Sequence, residues 1–149
     1  DFTVVLGAEK KDTVAGAQYY HAVDSGQMSA IGIQLTTSGP QVDDFLAEMK
    51  AAGDSESNLF LQGLSDRIAE DMATHLHQQM RELMGVDPKQ GQRWSPGYPG
   101  MRNIHFNATI HELLNGGELL GVKLTDASEF SPTGTTGAVV SFHPEARYT

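Results

Sequence analysis

The stretch LQGLSDRIAEDMATHLHQQMRELMG, residues 61–85, decides how the rest of the chain is read. Leu61, Leu64, Ile68, Met72, Leu76, Met80 and Leu83 recur at steps of three and four, the spacing that lines up one stripe of an α-helix. The stretch therefore reads as an amphipathic helix of about six or seven turns, stopped at Gly85 with Pro88 beyond it. Glu70 lies opposite the Ile68 and Met72 stripe, on a side shared with Arg67, Thr74 and His77. Periodicity alone reads that side as a solvated face carrying weak intrahelical pairs.

Upstream of the helix, Ser38-Gly39-Pro40 opens a shorter one with Pro at its first position, apolar Val42, Phe45, Leu46 and Met49, and a stop at Gly53. Residues 29–37 alternate as a strand, with Ile31, Ile33 and Leu35 on one face, and residues 2–6 read as another; the segment between them has no firm period. Downstream, QRWSPGYPGMRNIHFNATIHELL, residues 92–114, sets a Gly/Pro turn before a helix over about residues 108–114. Asn115-Gly116-Gly117 stops that helix, and strand candidates follow at residues 122–125 and 137–142. Helices grouped between strands at both ends predict an α+β domain with a mixed or mostly antiparallel sheet.

The 149 residues suit one domain, long enough to bury roughly two-thirds of the unfolded surface. Without cysteine, thiolate nucleophiles, disulfides and Cys-ligated metal are excluded, and the balance leans to a cytoplasmic setting. Ten basic against nineteen acidic residues give a formal charge of −9, which repels phosphate backbones and anionic lipid. Nucleic acid and membranes are accordingly not expected partners, whereas a basic protein surface is. No apolar run approaches the roughly 18 residues that span a bilayer, and Asp1-Phe2-Thr3 begins no signal region. Lacking an initiator Met, the chain reads as a fragment or processed product.

Chemistry-bearing motifs are few. His75 and His77, two apart on a helix, point about 200° apart around its axis and cannot share an ion, and His105 and His111 lack a paired carboxylate motif, so no metal site is expected. The sequence Gly-Thr-Thr-Gly at residues 134–137 lacks the Lys-Ser/Thr of a phosphate loop and reads as a turn; no Ser sits in a Gly-x-Ser-x-Gly elbow. No catalytic residue is assigned. The turn at residues 93–99 is the informative feature, because Pro96, Gly97 and Pro99 stiffen the backbone between Arg93 and Tyr98. A fixed guanidinium can grip a carboxylate with two hydrogen bonds, and fixed backbone groups can read a base; a purely structural turn is the alternative.

That turn, with the helix after it, resembles the S-adenosylmethionine-binding segment of the activation domain of cobalamin-dependent methionine synthase. The family pattern reads Arg-x-x-x-Gly-Tyr-Pro, then Ala-Cys-Pro-Asp/Glu-His-Thr-Glu-Lys, then Ala-Thr-Ile-x-Glu-Leu-Leu. Arg93, Gly97, Tyr98, Pro99 and residues 108–114 fit it without a gap. The long helix and the closing GVKLTDASEFSPTGTTGAVVSFHPEARYT resemble two further family blocks, and IGIQLTTSG with the helix after it fits a fourth, so residues 1–149 are taken as one such domain, clearest over 29–149.

The resemblance implies a C-shaped α+β domain that binds S-adenosylmethionine and presents it to a cobalamin held by a partner module, in cis or in trans, so that inactive cob(II)alamin is reductively methylated. A flavodoxin-like electron donor is among the partners it admits. By position, Arg93 would grip the methionyl carboxylate, Glu70 would take the ammonium, Gly97, Tyr98 and Pro99 would form the binding turn, and Tyr148 would lie at the ligand. Between Pro99 and residue 108 the family's charged segment is replaced by Met101-Arg102-Asn103-Ile104-His105-Phe106-Asn107. That replacement motivates a second reading, a diverged binding or interaction module that keeps the fold without donating methyl groups. A free-standing methyltransferase is a third, with no general base beside the turn to support it.

Overall fold

The computed structural model describes residues 16–147; the strand expected at residues 2–6 and Tyr148 lie outside them. After two single turns of 3-10 helix, Gly16–Tyr19 and Val23–Ser25, the order is β1 (Ile31–Thr37), α1 (Gln41–Ala51), α2 (Ser55–Met84), β2 (Gln92–Trp94), α3 (Phe106–Leu113), α4 (Gly116–Leu120), β3 (Lys123–Leu124), β4 (Phe130–Ser131) and β5 (Thr135–Ser141). The domain is α+β, and among the described residues every strand pairing is antiparallel: a three-stranded sheet in the order β1-β5-β2 and a β3-β4 ribbon.

β5 is the central strand, and helices cover both faces of its sheet. On one face, Ile31, Ile33 and Leu35 of β1 point as their alternation predicts, and Leu35 joins Ile110 of α3, Val122 and Val139 in the apolar core. Ile110 has no exposed surface. On the other face lies α2, capped at its start by the Asp54 side chain, which accepts from the Ser57 N–H at 3.0 Å, and at its end by Gly85 in the left-handed conformation.

The packing of α2 corrects the sequence reading. Its buried residues are Ser65, Ala69, Ala73 and His77, one position away from the predicted stripe, whereas Leu64, Ile68 and Met72 are 42–47% exposed and Leu83 is 87% exposed. The cause is close approach. Small side chains at four-residue steps bring the helix backbone near enough for Gln34 Nε2 of β1 to donate to the Ala73 carbonyl at 3.3 Å and Thr36 Oγ1 to the Ala69 carbonyl at 3.0 Å. Those carbonyls have a second lone pair to offer beyond their helical bond. His77, expected on the solvated side, is buried by the same geometry.

Other differences are local. α2 begins six residues before the first apolar position of its stripe, Pro40 caps α1 rather than opening it, and the Asn-Gly-Gly stop after α3 leads directly into α4 through Asn115 at φ +49°. Thr135, Thr136 and Gly137 of the supposed turn are strand residues, because they pair with residues 35–37 of β1.

Candidate functional site

Arg93 sits on β2, a short edge strand that its Gly/Pro-rich surroundings hid from sequence reading. The strand is docked from both sides. Arg81 at the end of α2 donates from Nε to the Gln90 carbonyl at 2.7 Å and from Nη2 to the Gly91 carbonyl at 3.2 Å, and Gln90 Nε2 donates to the Phe142 carbonyl at 2.7 Å. Gly91, at φ +82°, is required there, since a Cβ would overlap the Ser141 carbonyl oxygen. The resulting register pairs Arg93 with Val140, and through β5 with Gly32, so its side chain lies on the α2 face.

Glu70 reaches it from the edge of the buried stripe on α2. Its Oε2 accepts from Arg93 Nη2 at 2.7 Å, and the two side chains are 50% and 20% exposed respectively. Glu70 is therefore not an idle solvated residue. Arg67, grouped with it in sequence, turns instead to Asp71 at 3.0 Å, while the Thr74 hydroxyl donates to the Glu70 backbone carbonyl at 2.9 Å. The second terminal nitrogen of Arg93, Nη1, is buried without a hydrogen-bond partner among the described residues, as is Nε2 of His77. Burial, then the positive charges of Arg81 and Arg93, push the His77 imidazole down to about 4, so it stays neutral at pH 7 and takes no charge away from the ion pair.

After Trp94 the chain folds into the predicted turn. Gly97 N–H donates to the Met101 carbonyl at 2.8 Å and Met101 N–H to the Tyr98 carbonyl at 3.0 Å. Gly100, at φ +90°, closes the turn over the Trp94 ring, where a Cβ would stand 2.8 Å from Cδ1. Trp94 is also stacked on Tyr19, with ring centroids 5.6 Å apart. Tyr98 remains 64% exposed at the turn's tip.

A cleft of about 520 Å³ opens between this turn, α2 and the β4–β5 region. Glu70, Ser95, Pro96 and Tyr98 line it, whereas Gly97 and Pro99 shape the turn without lining the cleft. Asp66 and Glu129 also line it and were not singled out from sequence, as do Asn107 and Thr135, which appeared there only within the replaced segment and the supposed turn. Asp66, one turn before Glu70, carried a signal in its spacing; Glu129 carried none, because only the packing of the β3-β4 ribbon against β5 brings it across. Burial, and secondarily the neighbouring Glu70 charge, hold the Asp66 carboxyl above its usual range. Ile104 of the replaced segment lines the cleft too, and Asn107 is fixed by donating from Nδ2 to the Ser128 carbonyl at 2.9 Å. Among the described residues no group of three or more His, Cys, Asp or Glu could hold a metal ion, and no helix is long and apolar enough to cross a membrane.

The comparisons with known proteins agree on one family. The model for the vitamin B12 dependent methionine synthase activation domain matches residues 6–149. A methionine synthase of Mycobacterium tuberculosis is 27% identical and one of Mycobacterium leprae 24% identical, each match covering 85% of this chain and 12% of the relative. The chain thus spans about an eighth of the length of the curated relatives it matches. A solved structure described as the MetH reactivation domain bound to AdoHcy superposes with a TM-score of 0.82 at 27% identity, over 89% of this chain and 45% of that one.

Proposed function

We propose, because this chain belongs to the activation-domain family of vitamin B12 dependent methionine synthase, that its cleft binds S-adenosylmethionine through Arg93 and Glu70. One observation carries the reading: Glu70 lines a cleft of ligand size and holds one arm of the Arg93 guanidinium, which does not itself line the cleft and whose other arm has no acceptor among the described residues. A planar fork so placed suits a carboxylate, and the carboxylate of Glu70 suits an ammonium. The turn formed around Gly97, Tyr98 and Pro99 offers rigid backbone groups beside them, and by the family's order Tyr148 adds a ring at the ligand. Residues 1–149 act in this reading as one domain.

When bound, S-adenosylmethionine supplies the methyl group for a cob(II)alamin held by a partner module, fused or separate, with an electron donor of flavodoxin type, in the cytoplasm. This chain's residues bind and orient the donor; the chemistry belongs to the corrinoid. The solved relative with AdoHcy supports the ligand class. Calorimetry with S-adenosylmethionine and S-adenosylhomocysteine tests it, and Arg93→Ala is expected to weaken binding by about 2–5 kcal/mol because it strands the ligand carboxylate. Affinity unchanged within about twofold, well under 1 kcal/mol, sinks the carboxylate assignment.

A second reading, a binding module without methyl donation, is favoured by Ile104 in the cleft wall where the family pattern has a histidine. Exchanging this domain for one with the full motif on a corrinoid-loaded core, and following methylcobalamin by absorbance, separates the two. A small fraction of the reference rate, with ligand binding intact, supports the second; equal rates restore the first.

A further inference from the structure

The ion pair that marks the site also obstructs it. Arg93 Nη2 is already bonded to Glu70 at 2.7 Å, and Asp66, whose carboxyl is held above its usual range by burial and then by the Glu70 charge, stands nearby. An anion approaching Arg93 therefore meets a guanidinium with a resident counterion and a second acidic group nearby. If the anion takes Arg93, Glu70 loses its partner in a half-exposed setting beside Asp66. His77 cannot make up the loss, being neutral and buried behind the pair.

Three ligand classes then fare differently. A carboxylate without a cation replaces one ion pair with another and leaves Glu70 facing two negative neighbours. A cation without a carboxylate draws Glu70 away and leaves Arg93, already short of one acceptor, without any. A ligand with both charges on one carbon gives each protein group a new partner in the same event.

We propose that Glu70 is a specificity-determining residue, an internal competitor for Arg93 that restricts the cleft to ligands carrying an α-amino acid zwitterion. The proposal rests on the ligand reading above and extends it, since Glu70 there only adds affinity whereas here it also excludes. The two roles differ in sign for a ligand that lacks the ammonium: a simple contact residue is indifferent to it, and a competitor opposes it.

The test measures dissociation constants by calorimetry for three probes on the unmodified chain and on Glu70→Gln and Glu70→Ala, with circular dichroism to verify the fold. The probes are S-adenosylhomocysteine, its deaminated analogue 4-(adenosylthio)butanoate, and its decarboxylated analogue 3-(adenosylthio)propylamine. Expected is a preference of the unmodified chain for S-adenosylhomocysteine over the deaminated analogue of about a hundredfold. Both variants should bind S-adenosylhomocysteine more weakly yet bind the deaminated analogue about three- to tenfold more tightly than the unmodified chain does. A deaminated analogue that gains nothing in either variant overturns the competitor role while leaving the ligand reading standing, as does equal binding of the zwitterion and deaminated probes by the unmodified chain. No binding of S-adenosylhomocysteine by the unmodified chain overturns the ligand reading itself, and the selector with it.

Discussion

The two faces of the central sheet are built on different terms. Against α3 the sheet presents Leu35 and Val139 to Ile110 and Val122, an apolar contact with no hydrogen bonds to satisfy. Against α2 it presents Gln34, Thr36 and Arg93, and the helix answers with Ser65, Ala69, Ala73 and His77. The first face gains its stability from area removed from water, which tolerates small displacements. The second depends on distances, because buried polar groups must find partners; among the described residues of the whole domain four buried side-chain atoms lack one, Gln34 Oε1, His77 Nε2, Arg93 Nη1 and Trp94 Nε1. Three of those belong to the α2 face, which is also the face that holds the ion pair. The apolar core lies on one side and the candidate site on the other.

If that division is right, substitutions on the two faces should have separable effects. Ile110→Ala should destabilise the domain by about 2–5 kcal/mol through lost burial and a residual cavity, while ligand affinity, measured well below the melting temperature, stays near that of the unmodified chain. Denaturant unfolding together with calorimetry makes the check; a comparable loss of affinity would break the comparison. Ala73→Leu, on the opposite face, should cost about 1–3 kcal/mol by overpacking, and should weaken the ligand as well, since it lifts α2 and Glu70 from the sheet. A Leu at residue 73 that lowers stability without touching affinity would show that the close approach serves packing alone.

The α2 face should also carry a pH dependence that the α3 face lacks. His77 has an ordinary imidazole value when unfolded and one pushed down to about 4 when folded, so the unfolded chain binds more protons between those limits. Its contribution is fully present above pH 6.5 and is lost as pH falls toward 4. His77→Gln should therefore flatten the stability profile in that window by about 1–2 kcal/mol relative to the unmodified chain, as read from chemical unfolding at a series of pH values. Identical profiles would place His77 in contact with solvent. The smallest effect is expected of Glu70→Gln, which should change stability by no more than about 0.5 kcal/mol, because the pair is partly exposed and screened, even as it alters which ligands bind. A larger shift in melting temperature would mean the pair holds the fold and not only the site.

How much of this was legible in the sequence differs between the faces in the same way. The apolar side of β1 could be read directly: Ile31, Ile33 and Leu35 alternate, and alternation maps onto one face of a strand without further information. The α2 side misled, since the large residues that make the stripe visible, Leu64, Ile68 and Met72, are not those that pack. Periodicity weighs side chains by hydrophobicity, whereas close helix–sheet approach selects them for being small, and Ala69 and Ala73 leave almost no trace in such a reading.

The chain by itself determined the α+β class, the long helix with its Gly85 stop, and a rigid turn beside an arginine, because periods, caps and Gly/Pro positions are local properties of neighbouring residues. It also carried the family resemblance, which lies in ordered blocks. Only the tertiary structure decided that Arg93 stands on an edge strand in the register that turns it toward α2, that Glu70 meets it at 2.7 Å across a sequence separation of 23, and that His77 is shut in with them. Those facts follow from how β2 pairs with β5 and how near α2 can lie to the sheet. A one-residue slip of β2 would send Arg93 to the other face without changing a single amino acid, so no reading along the chain could have fixed it.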